Sequence, residues 1–112
     1  MLKTTQLSLK YLREKGFECQ VVEHWNQFAK IRQDCFGFGD ILAFSDRETV
    51  LVQTTSASNM LARREKILSL KIASEWVQGP GRYIIIHGWK QPKRKGFEPE
   101  VIEEWYGRED IR

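Results

Sequence analysis

Apolar positions recur with two different periods along the chain. In residues 5–15, TQLSLKYLREK, Leu9 and Leu12 fall on one face with Thr5, which is helical spacing, and Gly16 is placed to stop the helix. From Glu18 to Trp25 the β-branched and aromatic content predicts a first strand, and a polar stretch from Asn26 to Gln33 follows. Phe38–Phe44 and Thr49–Thr54 are short apolar runs separated by Ser45-Asp46-Arg47-Glu48, a turn of the length that suits an antiparallel hairpin. Ser56–Asn59 offers helix N-caps to residues 60–78. There Leu61, Leu68, Ile72, Ala73 and Trp76 predict one long helix, stopped by Gly79-Pro80-Gly81. Arg82–His87 is nearly all apolar, as a central buried strand would be. Residues 100–106 form a terminal element whose type the pattern leaves open. The order α-β-β-β-α-β predicts an α/β fold with a mixed sheet, its last strand parallel to its predecessor through a right-handed crossover.

At 112 residues the chain has the length of a single domain, 1–112, and can bury a core without disulfide staples. Hydrophobic residues at 41% and charged residues at 29% exclude a disordered composition. Apolar runs of only a few residues exclude a transmembrane helix, and Met1–Thr5 carries no signal-like apolar core. A cytoplasmic protein is therefore expected, with Cys19 and Cys35 as reduced thiols. The net charge of +3 hides an asymmetry: from Phe97 onward six acids face two bases, a balance of −4, so residues 1–96 carry +7. A basic body predicts a polyanionic partner, against the plainer reading of a solvated surface.

Candidate chemistry gathers in the central hairpin. Asp40 opens one apolar strand, and Gln53, thirteen residues on, ends the other, so antiparallel pairing can bring both to one end of the sheet. Polar groups at the ends of apolar strands are costly unless solvated, paired or bound to a metal. A carboxylate with an amide oxygen suits Mg²⁺ or Mn²⁺, and Thr55 points to the same side as Gln53 by strand alternation. In the preceding segment, Arg32 to Asp40, two glycines permit close backbone approach, Phe38 is expected in the core, and Asp34 is a possible further metal ligand, though read first as a solvated loop acid. Glu14 or Glu23 could supply a further acid to the site, but both are read first as solvent-facing. His24, His87, Cys19 and Cys35 lack the spacing of a zinc site. Basic residues form two groups, Arg63, Arg64, Lys66 and Lys71 on the long helix and Lys90, Lys93, Arg94 and Lys95 after the strand 82–87. Trp89 beside the second group offers a stacking surface.

The succession Asp40, apolar strand, turn, apolar strand, Gln53-Thr54-Thr55 resembles the PD-(D/E)XK nuclease superfamily. Within it the chain is most similar to small Holliday-junction-resolvase-like proteins, phage-encoded ones included, over residues 5–90. The resemblance implies a restriction-endonuclease-like α-β-β-β-α-β core, a mixed central sheet flanked by helices, and Mg²⁺- or Mn²⁺-dependent endonuclease chemistry. It further implies branched or structured DNA as substrate, a homodimer, and a host cytoplasm if phage-encoded. Asp40 then matches the metal-binding Asp. Gln53 stands where the second ligand, usually Glu, belongs, the Thr54 neighbourhood adds a backbone carbonyl, and Thr55 stands in place of the catalytic Lys. Arg63 or Lys66 would supply the missing cation, and Arg32, Arg63, Arg64, Lys66, Lys90, Lys93, Arg94 and Lys95 would contact the nucleic acid. The absent Glu and Lys support the rival reading, a nuclease-fold DNA-binding protein without activity. A small interaction protein with an acidic tail is a third reading.

Overall fold

A computed structural model describes residues 2–111. Its elements in chain order are α1 (Lys3–Glu14), β1 (Glu18–Val21), β2 (His24–Asn26), β3 (Ile31–Gln33), β4 (Ile41–Phe44), β5 (Thr49–Ser56), α2 (Met60–Leu68), α3 (Lys71–Gln78), β6 (Arg82–Lys90) and β7 (Glu100–Tyr106), with a short 3₁₀ turn, Ala57–Asn59, before α2. The fold is α/β. One mixed sheet runs β1-β4-β5-β6-β7, and β2 and β3 form a separate two-stranded ribbon. All pairings are antiparallel except β5 with β6, which are joined through α2 and α3 and run parallel. No helix among the described residues is long and apolar enough to cross a membrane.

Side-chain alternation along β5 gives the sheet two buried faces. Val50 and Val52 join Ile41, Ala43 and Ile85 beneath Leu9 and Leu12 of α1. Leu51 joins Ile84 and Ile86 beneath Met60, Ile67, Ala73 and Val77 of α2 and α3, with Phe38 sealed into the same layer. Strand β5 is thus buried on both sides, which explains its unbroken apolar run.

Four elements differ from the sequence expectation. The helix expected over 60–78 is two helices, because Leu70 is extended (ψ 124°) and caps α3. At about 100° per residue, Ile67 and Ala73 on one straight helix would point about 120° apart. The break rephases them, so both are buried, while Leu61, Leu68 and Ile72 are left exposed. The first strand also ends early: the chain turns at Val22-Glu23, and His24–Asn26 leave the main sheet to pair with Ile31–Gln33 inside the stretch read as polar. The strand expected over 82–87 runs on to Lys90, and residues 100–106 pair with it as an edge strand.

Candidate metal centre

The backbone around Asp40 explains why distant carboxylates meet there. Cys35 and Gly39 bridge across a tight loop, with Cys35 N–H to Gly39 O at 2.7 Å and Gly39 N–H to Cys35 O at 2.8 Å. Continuing that antiparallel register sets Asp34 opposite Asp40. The reversal needs left-handed backbone at Phe36 (φ 55°) and Gly37 (φ 83°). Gly39 sits against Leu51 so closely that a Cβ would overlap the Leu51 side chain. From the other side, the N–H groups of Val22 and Glu23 donate to the Asp40 carbonyl at 2.9 and 3.3 Å, which ties the end of β1 to the same point.

Glu23, Asp34 and Asp40 consequently each offer a carboxylate oxygen within 4.8 Å of the others. Asp40 is 3% exposed. Its Oδ2 accepts from Gln53 Nε2 and from the Thr54 N–H, both at 2.8 Å, with the Thr54 hydroxyl at 3.5 Å. Burial, with Asp34 and Glu23 beside it, pushes the Asp40 carboxyl up to about 8, although the Thr54 N–H pulls it down. Gln53 is 2% exposed, and its Oε1 is a buried oxygen with no hydrogen-bond partner. Such an atom costs about 1–3 kcal/mol unless something occupies it.

Glu23, expected to face solvent, is covered: its side chain is 3% exposed, accepts from the Thr5 hydroxyl at 3.3 Å and pairs with Arg32 at 3.7 Å. Thr5 is fully buried and also meets the Thr54 hydroxyl at 3.4 Å, so the first turn of α1 roofs the cluster. Asp34 belongs to the cluster rather than to solvent alone. The sequence did carry a signal for the roof, since Thr5 and Ser8 are polar residues on the apolar face of α1 with Leu9 and Leu12. Glu23 and Asp34 are candidates by residue type alone, and nothing local marks their approach to Asp40.

The other candidates fall in different places. Thr54 meets Asp40 with two donors, so what it visibly does is hold the carboxylate. Thr55, on the Gln53 side of β5, is buried and has no hydrogen bond to Asp40. Lys66 is exposed on α2 and lines an open groove with His24, Arg32, Gln33, Asp34 and Gly37, so it shares that groove with one member of the cluster. Arg63 is half-buried one turn earlier. Arg64 is not free: it holds Glu104 of β7 bidentately at 3.1 and 2.9 Å. Glu104 also takes the Tyr106 hydroxyl at 2.7 Å, and burial together with this carboxylate pushes Tyr106 up to about 12.

Lys90, Lys93, Arg94 and Lys95 are exposed at the far end of β6 and in the loop after it. Gln53 pairs with Ile86, so Lys90 stands four residues farther, about 13 Å along the sheet. Trp89 offers no stacking surface: it is 6% exposed, donates to Ser8 at 2.9 Å and packs edgewise on Tyr11 and His87. Phe97, 65% exposed, is the aromatic that the basic loop presents. His87 is buried between Ser8 (2.8 Å) and Glu103 (2.7 Å). Burial alone would raise the Glu103 carboxyl, but hydrogen bonds from His87 and Trp105 hold it below its ordinary value.

An all-oxygen set of three carboxylates fits a hard divalent cation, and Gln53, whose Nε2 faces Asp40, would add an oxygen if its amide turned. Comparison with protein-family models, curated proteins and solved structures finds no match for the chain.

Proposed function

We propose that the chain is a Mg²⁺- or Mn²⁺-dependent nuclease that hydrolyses phosphodiester bonds in DNA. The observation that carries this reading is the meeting of buried Asp40 with half-buried Asp34 and Glu23, next to Gln53, whose amide oxygen is buried without a partner. Three carboxylates so close are mutually repulsive, and burial adds to the cost of the charge on Asp40. A dication removes that repulsion, so the arrangement makes sense as a binding site and poor sense as scaffolding.

In this reading Asp40, Asp34 and Glu23 hold the ion. Gln53 joins them by turning its amide so that Oε1 rather than Nε2 faces in. Bound there, the ion would acidify a water and take up charge on a phosphate. Thr54, through its N–H, fixes the Asp40 carboxylate. Lys66, in the groove that Asp34 also lines, supplies the cation that Thr55 cannot and neutralises the phosphate as charge grows on it. Arg32 is drawn onto Glu23 and borders the same groove, where it can reach a phosphate. The exposed loop Lys93-Arg94-Lys95 and Lys90 extend the positive surface along the sheet end.

The order α1, β1, β4, β5, α2 and α3, β6, with the parallel β5–β6 pair, supports a restriction-endonuclease-like core, and the Asp40…Gln53-x-Thr55 pattern supports membership of the PD-(D/E)XK superfamily. Action on branched DNA as a homodimer belongs to the same proposal. The neutral Gln53 and the Thr in place of Lys favour the second reading, a DNA-binding protein that keeps the fold without the chemistry. The two part in one assay: labelled linear, single-stranded and four-way DNA incubated with purified protein and Mg²⁺, Mn²⁺ or EDTA. Cleavage that needs the metal and vanishes in Asp40→Asn supports the nuclease. Binding without cleavage supports the second reading.

A further inference from the structure

The β2–β3 ribbon is the least explained feature of the surface. It leaves the main sheet at Glu23, a member of the acidic cluster, and returns at Asp34, another member, so the cluster sits at its base. Its loop, Gln27–Lys30, is held by the Asn26 side chain, whose Oδ1 accepts the Phe28 and Ala29 N–H groups at 2.9 Å each, and by Lys30 N–H to Asn26 O at 2.8 Å. Lys30 closes it in a left-handed conformation (φ 57°). This ordered arm presents three large apolar side chains to solvent: Trp25 at 52%, Phe28 at 99% and Ile31 at 50% exposed. Single exposed apolar residues need no explanation. Three on one ten-residue arm, with Phe28 buried against nothing, are a surface awaiting an occupant.

The charge on the arm says which occupant. Residues 24–33, HWNQFAKIRQ, contain Lys30 and Arg32 and no acid. Trp25 pairs with Arg32 across the ribbon and shares its face, and Arg32 reaches Glu23, so Trp25 is on the face that looks toward the cluster. Aromatic faces flanked by guanidinium and ammonium groups suit unpaired bases on a phosphate backbone. Paired bases inside a duplex present no free face. The tip lies about 10 Å from the base of the ribbon, counting three strand residues. That is about three base steps at 3.4 Å.

We propose that the β2–β3 arm is the structure-reading element of the site, with Phe28 and Trp25 stacking on unpaired bases about three nucleotides from the phosphate at the acidic cluster. The proposal rests on the nuclease reading and narrows its substrate to DNA with an unpaired or splayed segment. Phe28 touches nothing in the folded chain, so Phe28→Ala leaves the fold intact.

The test measures anisotropy of a labelled fork with a three-nucleotide splayed end, and of the matching duplex, in EDTA, for the natural protein, Phe28→Ala and Phe28→Tyr. Phe28→Ala should lose about tenfold in fork affinity, the scale of one lost base stack, and less than twofold in duplex affinity, and Phe28→Tyr should restore it. Tryptophan emission should be quenched by the fork, and less so in Trp25→Phe. Equal affinity of natural protein and Phe28→Ala for the fork, or equal losses on both substrates, overturns the arm's role. Cleavage with Mn²⁺, run in parallel, separates the two ideas. Fork cleavage unaltered in Phe28→Ala sinks the arm and leaves the metal site. Phe28-dependent fork binding with no cleavage of any DNA sinks the nuclease and leaves the arm as a nucleic-acid reader.

Discussion

Replacing Asp40 with Asn should make the metal-free protein more stable, although Asp40 is buried and fully engaged. The substitution keeps the shape. The Asn oxygen can accept from Gln53 Nε2 and the Thr54 N–H as Asp40 Oδ2 does at 2.8 Å, and the new amide can donate to Asp34. What disappears is a charge that burial, Asp34 and Glu23 all oppose. The sign follows from linkage. A carboxyl raised from 3.8 to about 8 in the folded chain binds its proton more tightly there than in the unfolded chain. Folding stability therefore falls as pH climbs between those values and levels off above about 8. At about 1.4 kcal/mol per pH unit the interval sets a ceiling of about 6 kcal/mol. Asp34 and the Glu23 backbone are only partly covered, so water entering there returns much of it, and we expect about 2 kcal/mol. The assay is urea denaturation in EDTA, followed by tryptophan emission, for both proteins at pH 5, 7 and 9. Asp40→Asn should match the natural protein near pH 4 and exceed it increasingly toward pH 9. A variant less stable than the natural protein at pH 9 would refute the view that ionised Asp40 is a stability burden kept for binding.

Other expectations follow from the same geometry. Gln53→Glu should lower metal-free stability by about 1 kcal/mol or more, by adding a fourth carboxylate, and should tighten Mn²⁺ binding; thermal shift with and without Mn²⁺ reads both. Lys66→Ala should cut the cleavage rate about tenfold or more while changing DNA affinity less than threefold, since its ammonium acts on charge that grows during reaction; single-turnover kinetics beside anisotropy separates the two. Joint replacement of Lys93, Arg94 and Lys95 by Ala should weaken binding to every sequence and flatten the slope of log affinity against log salt by about 2–3, whereas Arg64→Ala, which breaks the Glu104 pair, should show in the melting temperature instead.

The hairpin that carries Asp40 and Gln53 was legible because an antiparallel pair with a short turn leaves little freedom of register, and Asp40 N–H indeed bonds Val52 O at 2.8 Å. The parallel β5–β6 pair was legible from handedness and the apolar runs. Glu23 and Asp34 were not, because neither their burial nor their proximity is local. Glu23 is covered by Thr5, eighteen residues earlier, and Asp34 returns to Asp40 through a left-handed Phe36, a conformation that no residue-type preference announces. The break at Leu70 was invisible for a related reason. Leu61, Leu68, Ile72, Ala73 and Trp76 make a convincing stripe; of it the sheet beneath keeps Ala73 and part of Trp76, and takes Met60, Ile67 and Val77 besides. Trp89 is covered because β6 runs past His87 to Lys90, an extension that the apolar run 82–87 does not announce.

The central claim is that Asp40, Asp34, Glu23 and Gln53 form a divalent-cation site. Its most direct test is a calorimetric Mn²⁺ titration at pH 7, without DNA, in two buffers of different ionisation enthalpy. Burial and the neighbouring carboxylates raise the Asp40 carboxyl to about 8, which favours its protonated form at pH 7. Ligation must expel that proton. One bound ion per chain is expected, with proton release on binding, and loss of both in Asp40→Asn. Absence of Mn²⁺ binding, or binding that releases no proton and survives Asp40→Asn, would contradict it.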